Sequence, residues 1–226
     1  MIPDLIIVPQ GAESQAVKGG LRKCGLDAAM EIISIPIGNS QLSQTLTPYT
    51  RKLSKAKQVL LMGLCGSLDP YYVVGDCIAI NSCINQHQYQ VDLNSELTTK
   101  IKEQLSIDAV VSLTSDRIIT QAAVKHKLSQ QYPVNVVEME GYDYVNQLQQ
   151  RGIAVAMVRV VSDDPTGDIP DLNQAVDLQG NLQTIPMAIA LIKQPRAAIR
   201  LIRGSLIGLK ALEQATVKLF SHSNTG

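Results

Sequence analysis

The sequence carries no surplus of either charge: twenty basic residues balance twenty acidic ones among 226. A nucleic-acid binder normally carries a basic excess that displaces counterions from phosphates, so that partner is not expected here. Cysteine is sparse. The four present, Cys24, Cys65, Cys77 and Cys83, match neither a CxxC metal knuckle nor a small disulfide framework. Reduced thiols in a cytosolic protein are the simplest reading. Histidine is rarer still: His87, His126 and His222 lie far apart, no HExxH pattern occurs, and no metal site is expected. The opening MIPDLIIVPQ places an acid where a secretory signal needs basic residues, and its apolar run is short. No stretch approaches the roughly 20 uninterrupted apolar residues of a membrane span. Low-complexity blocks and internal repeats are absent as well. The expected location is the cytoplasm.

What is present is the composition of a compact globule: 45% hydrophobic and 18% charged residues. The length suits one well-buried core, read as a single domain over 1–226 with a C-terminal helical segment from 184. Short β-branched runs predict strands at Leu5–Val8, Ile32–Ile37, Val59–Leu64, Cys77–Asn81, Ala109–Leu113, Val134–Glu138 and Ile153–Val161. Several are apolar throughout, as strands covered on both faces are. Helices are predicted near Glu13–Lys23, Ser40–Ser54, Asn94–Gln104, Gln121–Gln130 and Tyr142–Gln150. That alternation gives an α/β protein whose central, mostly parallel sheet lies between two helical layers. Pro165–Gln183, with Pro165, Gly167, Pro170 and Gly180, reads as a long loop or flap; Pro186 suits a first helical turn and Pro195 marks a break.

In such a sheet, ligands sit beyond the carboxyl ends of the strands, so chemistry is sought at the strand-to-helix junctions. In VPQGAESQAV, Glu13 opens a helix, where an acid is favoured by the dipole whatever else it does. In IPIGNSQLSQ, Gly38 precedes Asn39 and Ser40; Ser40 is a plausible N-cap, and the free N–H groups there could hold an anion. The stretch LLMGLCGSLDPYYVVGD drops from a buried strand into Gly63, Leu64, Cys65 and Gly66, with neither a Walker P-loop nor a GxGxxG fingerprint. VVEMEGYDYV delivers Glu138, Met139 and Glu140 to a sheet edge; extended, the two carboxylates would share one side, and a helix-capping acid pair is the ordinary alternative. VAMVRVVSDDPTG ends an apolar strand in Ser162 and Asp163, an acid suited to proton transfer if desolvated, although Asp before a turn proline is also common turn chemistry.

Taken in order, GAE, GLCGSLDPYYVVGD, TSDRII, VEMEG and VRVVSDD resemble the nucleoside phosphorylase family that includes purine nucleoside phosphorylases and methylthioadenosine/S-adenosylhomocysteine nucleosidases. The motifs span most of the chain. The resemblance implies a three-layer α/β/α nucleoside-phosphorylase-like fold with a central mixed, mostly parallel sheet. It implies that Asp163 protonates purine N7 as the glycosidic bond breaks, because a neutral purine leaves more readily than its anion. It implies that Glu140 grips the ribose hydroxyls, that Met139 lies against the sugar, and that Glu138 stands with them. Ser162 would support the aspartate, Arg159 would act behind the carboxylates, and Glu13 matches the acid that orients attacking water. Ile118 stands where the nucleosidases place an aromatic ring against the base, with backbone groups around Ile119 reading the purine edge. Gly38, Leu64, Cys65 and Gly66 complete the expected substrate wall. No cofactor is implied, although phosphate could serve as co-substrate, and a homodimer or larger homo-oligomer is.

Three departures shift the expectation. Leu64 stands where the family has a hydroxyl that contacts sugar or phosphate, no GDPxR-like phosphate motif occurs, and no arginine closely follows Gly11, which favours water over phosphate. Ile118 keeps apolar contact but loses ring stacking. Near the C-terminus, Arg196, Arg200, Arg203 and Lys210 fall on one helical face, with Ala198, Leu201, Ile202, Leu209 and Leu212 assigned to the opposite side. The plain reading is a packed helix with a solvated basic stripe; the sharper one is a helix at an anionic lipid surface. That tail, with DPTGDIPDL and GLCGSLDP, looks like the hopanoid-associated phosphorylase subgroup, which implies an adenosylhopane-like, lipid-linked nucleoside and peripheral membrane contact. The other readings are a methylthioadenosine/S-adenosylhomocysteine nucleosidase and a non-catalytic nucleoside-binding module.

Overall fold

The computed structural model describes residues 3–38, 42–177, 180–181 and 183–221. Asn39 and Ser40, the expected cap and anion cradle, lie outside the described residues, as does His222. The strands are β1 (Leu5–Pro9), β2 (Glu31–Ile35), β3 (Gln58–Ser67), β4 (Cys77–Asn85), β5 (Gln90–Asp92), β6 (Ala109–Thr114), β7 (Val136–Glu138) and β8 (Ala154–Asp163). The helices are α1 (Ala12–Lys23), α2 (Leu42–Leu46), α3 (Thr50–Leu53), α4 (Ser95–Leu105), α5 (Ala122–Gln131), α6 (Gly141–Gln149), α7 (Thr184–Lys193) and α8 (Pro195–Phe220).

The sheet is mixed, as the resemblance implied. β1 pairs in parallel with β2 and β3, and β3 with β8 along its whole length. The pairings then run β8 to β4 antiparallel, β4 to β6 and β6 to β7 parallel, and β7 back to β3 antiparallel. Five strands thus close a ring, which the alternation of the sequence did not reveal. The expected single helix over Ser40–Ser54 is broken: α2 and α3 flank a 3-10 turn, Thr47–Tyr49, because Pro48 lacks the N–H that a continuous helix requires. β5 was not expected at all. Only three residues long, it is added as an antiparallel edge to β4.

Alternation of side chains builds the two outer layers. Leu5, Ile7, Val59 and Leu61 point into one core with Leu46, Leu53, Val145 and Leu148 from α2, α3 and α6. Ile6, Val8, Leu60 and Met62 point into the other, against Val17, Leu21, Leu97, Ile101, Leu212 and Leu219 from α1, α4 and α8. β3 and β8 are buried almost throughout, as a strand covered on both faces must be.

Two local features aim the strand ends. In the β3–β8 ladder Cys65 pairs with Val161 and Gly66 with Asp163, leaving Ser162 as the extra residue of a bulge. α8 presses on that bulge through Gly204: a Cβ there would stand 2.1 Å from the Ser162 carbonyl oxygen. Pro195 opens α8, which fits its fixed φ, so the expected break is the start of the longest helix.

Candidate active site

The carboxyl ends of β1, β3, β7 and β8 surround a half-open cavity of about 190 Å³. Its wall includes Glu13 from α1, Leu64, Cys65 and Gly66 from β3, Glu138, Met139 and Glu140 at the β7–α6 junction, and Ser162 and Asp163 from β8. Ile118 and Ile119 reach it from the loop after β6. All of the expected site residues except Gly38 therefore line one space, and Gly38 joins it by donating its N–H to Glu140 Oε1 at 2.9 Å.

One guanidinium organises the acidic side. Arg159 is buried and donates to Glu138 Oε2 at 2.9 Å and to Glu140 Oε2 at 3.4 Å. The site for it exists because residue 63 is glycine: a Cβ there would lie 2.6 Å from Arg159 Nη1 and 2.7 Å from Glu13 Oε2. Glu138 is consumed by this frame. Its Oε2 also accepts the N–H groups of Glu140 and Gly141, at 3.0 and 2.6 Å, and its Oε1 accepts from Thr114 Oγ1. It holds the turn rather than offering its carboxylate to a ligand. The chain turns at Met139, so the two glutamates converge on Arg159 instead of lying along one strand face.

Glu13 Oε2 accepts the Leu64 N–H at 2.7 Å. Burial first, and the neighbouring Glu140 carboxylate second, push its pKa up to about 7, while the Leu64 N–H and Arg159 oppose the shift. An acid poised near neutrality can take a proton from water at working pH. Glu140 is likewise raised, chiefly by burial and by Glu138, against the pull of Arg159. Cys65 is buried, and desolvation pushes its thiol far above the ordinary range, which leaves it inert as a nucleophile.

Asp163 lines the same cavity and has partners of its own. Lys125 from α5, fully buried, ion-pairs with Asp163 Oδ2 and also donates to the Asp164 carbonyl at 3.2 Å. Ser162 Oγ lies 3.1 Å from Asp163 Oδ1 and 3.2 Å from the Cys65 carbonyl oxygen. Sequence reasoning missed Lys125, because one lysine among AAVKHKL carries no mark of burial. It also missed Asn173. That side chain accepts from the Ile118 N–H at 2.9 Å and donates to the Ile118 carbonyl at 3.1 Å, so both backbone groups of Ile118 are engaged. The expected flap thereby contributes Ile169 and Leu172 to the cavity wall, and Leu201 of α8 adds to its apolar side.

A mixed-sheet α/β protein with a carboxylate-ringed cavity at its strand ends is the class that fold and site define. The sequence profile of the Phosphorylase superfamily matches residues 30–190, and the chain belongs to that family. Among solved structures, it resembles 5'-methylthioadenosine/S-adenosylhomocysteine nucleosidase from Neisseria meningitidis in complex with methylthio-immucillin-A, at 13% identity and a TM-score of 0.70, over 96% of this chain and 98% of that one. It also resembles Arabidopsis thaliana 5'-methylthioadenosine nucleosidase, at 14% identity and 0.65 over 98% and 96%. A third is futalosine hydrolase of Helicobacter pylori, at 16% identity and 0.63 over 95% and 97%. No curated protein matches the sequence. At these identities the likeness establishes the fold.

Proposed function

We propose that this chain cleaves the N-ribosidic bond of a purine nucleoside, adenine being the favoured base, with water as the nucleophile. The observation that carries the reading is the convergence on one cavity of Asp163, paired with buried Lys125, and of Glu140 and Glu13. A proton passed from the Lys125 ammonium to Asp163, its ion-pair partner, lets the acid donate to N7 as the C1'–N9 electrons withdraw into the base, so the purine departs neutral. Ser162 fixes the carboxylate's orientation. Positive charge developing on the sugar lies beside Glu140, whose oxygens keep lone pairs for ribose hydroxyls, and Met139 packs beneath the ring. Glu13 takes a proton from the attacking water. The pair has then lost one proton and Glu13 has gained one, and exchange with solvent restores both.

Water is favoured over phosphate on electrostatic grounds. Both cations buried beside the cavity among the described residues are already engaged, Arg159 by Glu138 and Glu140 with Glu13 close by, and Lys125 by Asp163. A phosphate dianion there would meet like charge at short range.

The substrate reading goes further. Leu64, Ile118, Ile169, Leu172 and Leu201 make an apolar wall, which supports a nucleoside with an apolar 5' substituent. An adenosylhopane-like lipid nucleoside is favoured, because Leu64 and Ile118 stand on that wall in place of the hydroxyl and the ring that the family has there. Methylthioadenosine or S-adenosylhomocysteine is the second reading, supported by the near-neutral Glu13. A non-catalytic nucleoside binder has no use for a proton donor at N7. Incubating the protein with adenosylhopane, and separately with methylthioadenosine, decides the substrate: adenine release from the first supports the lipid reading. Efficient cleavage of only the second overturns it.

A further inference from the structure

α7 reads TIPMAIALIK, yet none of its residues is buried. Ile185 is 73% exposed, Ile192 79%, and Ile189 between them nearly half. These fall at i, i+4 and i+7, one line along the helix. After a single residue α8 begins, and Ile199, Ile202 and Leu206 repeat the pattern, at 58%, 49% and 64% exposure. Ile202 therefore faces solvent, not the packed side that its sequence spacing suggested. The packed side is taken by Ala198, Gly204, Gly208 and Leu212. Exposed apolar area on this scale marks a surface that something covers.

Charge identifies the cover. Arg196, Arg203 and Lys210 are all exposed and recur every seven residues, so they run as a line beside the isoleucines of α8. Between Asp177 and Glu213 the sequence has five cations, Lys193, Arg196, Arg200, Arg203 and Lys210, and no acid. Only Arg200 is turned inward, to Asp164. A symmetric dimer formed through this face would set the same cations against themselves with no local acid to pair them.

We propose that the outer face of α7 and the first half of α8 seats the protein on an anionic lipid surface. The isoleucines enter the headgroup boundary and the arginines meet lipid phosphates, as an amphipathic helix with a cationic flank does. Leu201, on the inner side of the same turns, lines the cavity. The docking face is thus the outer side of a helix whose inner side bounds the cavity. The inference goes beyond the proposed reaction and stands whichever nucleoside is cleaved; the oligomer implied by the resemblance would use another face.

The test is sedimentation of the full chain with vesicles of phosphatidylcholine, alone or mixed with phosphatidylglycerol, in low salt and without nucleoside. The expected result is binding to the mixed vesicles only, weakened by salt. Arg196→Gln with Arg203→Gln lowers partitioning by about five-fold per cation. Ile192→Ser with Ile199→Ser lowers it by at least about ten-fold. Both pairs are exposed, so thermal unfolding stays cooperative and confirms folding. Binding to neither vesicle, binding that ignores lipid charge, or variants that bind like the parent would each overturn the proposal. So would a homo-oligomer that Ile192→Ser dissociates, since the face would then belong to a second copy. With no nucleoside present, none of these failures bears on the reaction.

Discussion

Lys125 and Asp163 are joined in an ion pair in which the lysine is wholly screened from solvent and the aspartate opens only toward the cavity. A pair at such a depth is costly to break from one side, because the partner left behind is a buried group without its counter-charge. Lys125→Met, which leaves the carboxylate alone, is expected to destabilise by about 3–5 kcal/mol in chemical denaturation. Adding Asp163→Asn to that variant should recover much of the loss. Additive losses in the double variant would show that the two groups do not depend on each other.

Glu13 carries the opposite strain. Its folded pKa of about 7 lies above the unfolded value of 4.5, so the folded state binds the proton more tightly. Its contribution to stability is complete below pH 4.5 and is lost as pH rises through about 7. Glu13→Gln should therefore unfold at a higher temperature than the parent at pH 8, with little difference at pH 4.5. Its base release should fall by about 10²–10⁴-fold. In the parent, kcat/KM should rise toward pH 7 and then level as Glu13 ionises. A variant no more stable at pH 8 would contradict the assigned shift.

Gly63 is where backbone, guanidinium and Glu13 meet most closely. Gly63→Ala must displace Arg159 Nη1 or Glu13 Oε2, both nearer than 3 Å to the new carbon. Overpacking of this kind costs about 1–3 kcal/mol. The displaced groups are those of the site, so turnover should fall further than the melting temperature suggests. Parent-level turnover would show that the frame tolerates the shift.

Much of this was legible in the sequence, for physical reasons. The seven expected strands were visible as β-branched runs, since strands buried on both faces must be apolar along their length. The junction residues Glu13, Glu140 and Asp163 stood out as acids where apolar runs stop. Ring closure through β7 was not legible, because pairing direction depends on long-range contacts with no local mark. Lys125 and Asn173 act through partners 38 and 55 residues away, and nothing beside them in the chain announces it. The exposed face of α8 was misread at Ile202, because helical spacing says which residues share a side but not which side is covered.

The most direct measurement is base release from an adenine nucleoside in phosphate-free buffer, comparing the parent with Asp163→Asn. The account predicts adenine and free sugar in equal amounts from the parent, and a kcat lower by about 10²–10⁴-fold in the variant with much smaller loss of binding. Release that requires phosphate and yields a sugar phosphate, or a variant with unchanged kcat, would contradict it.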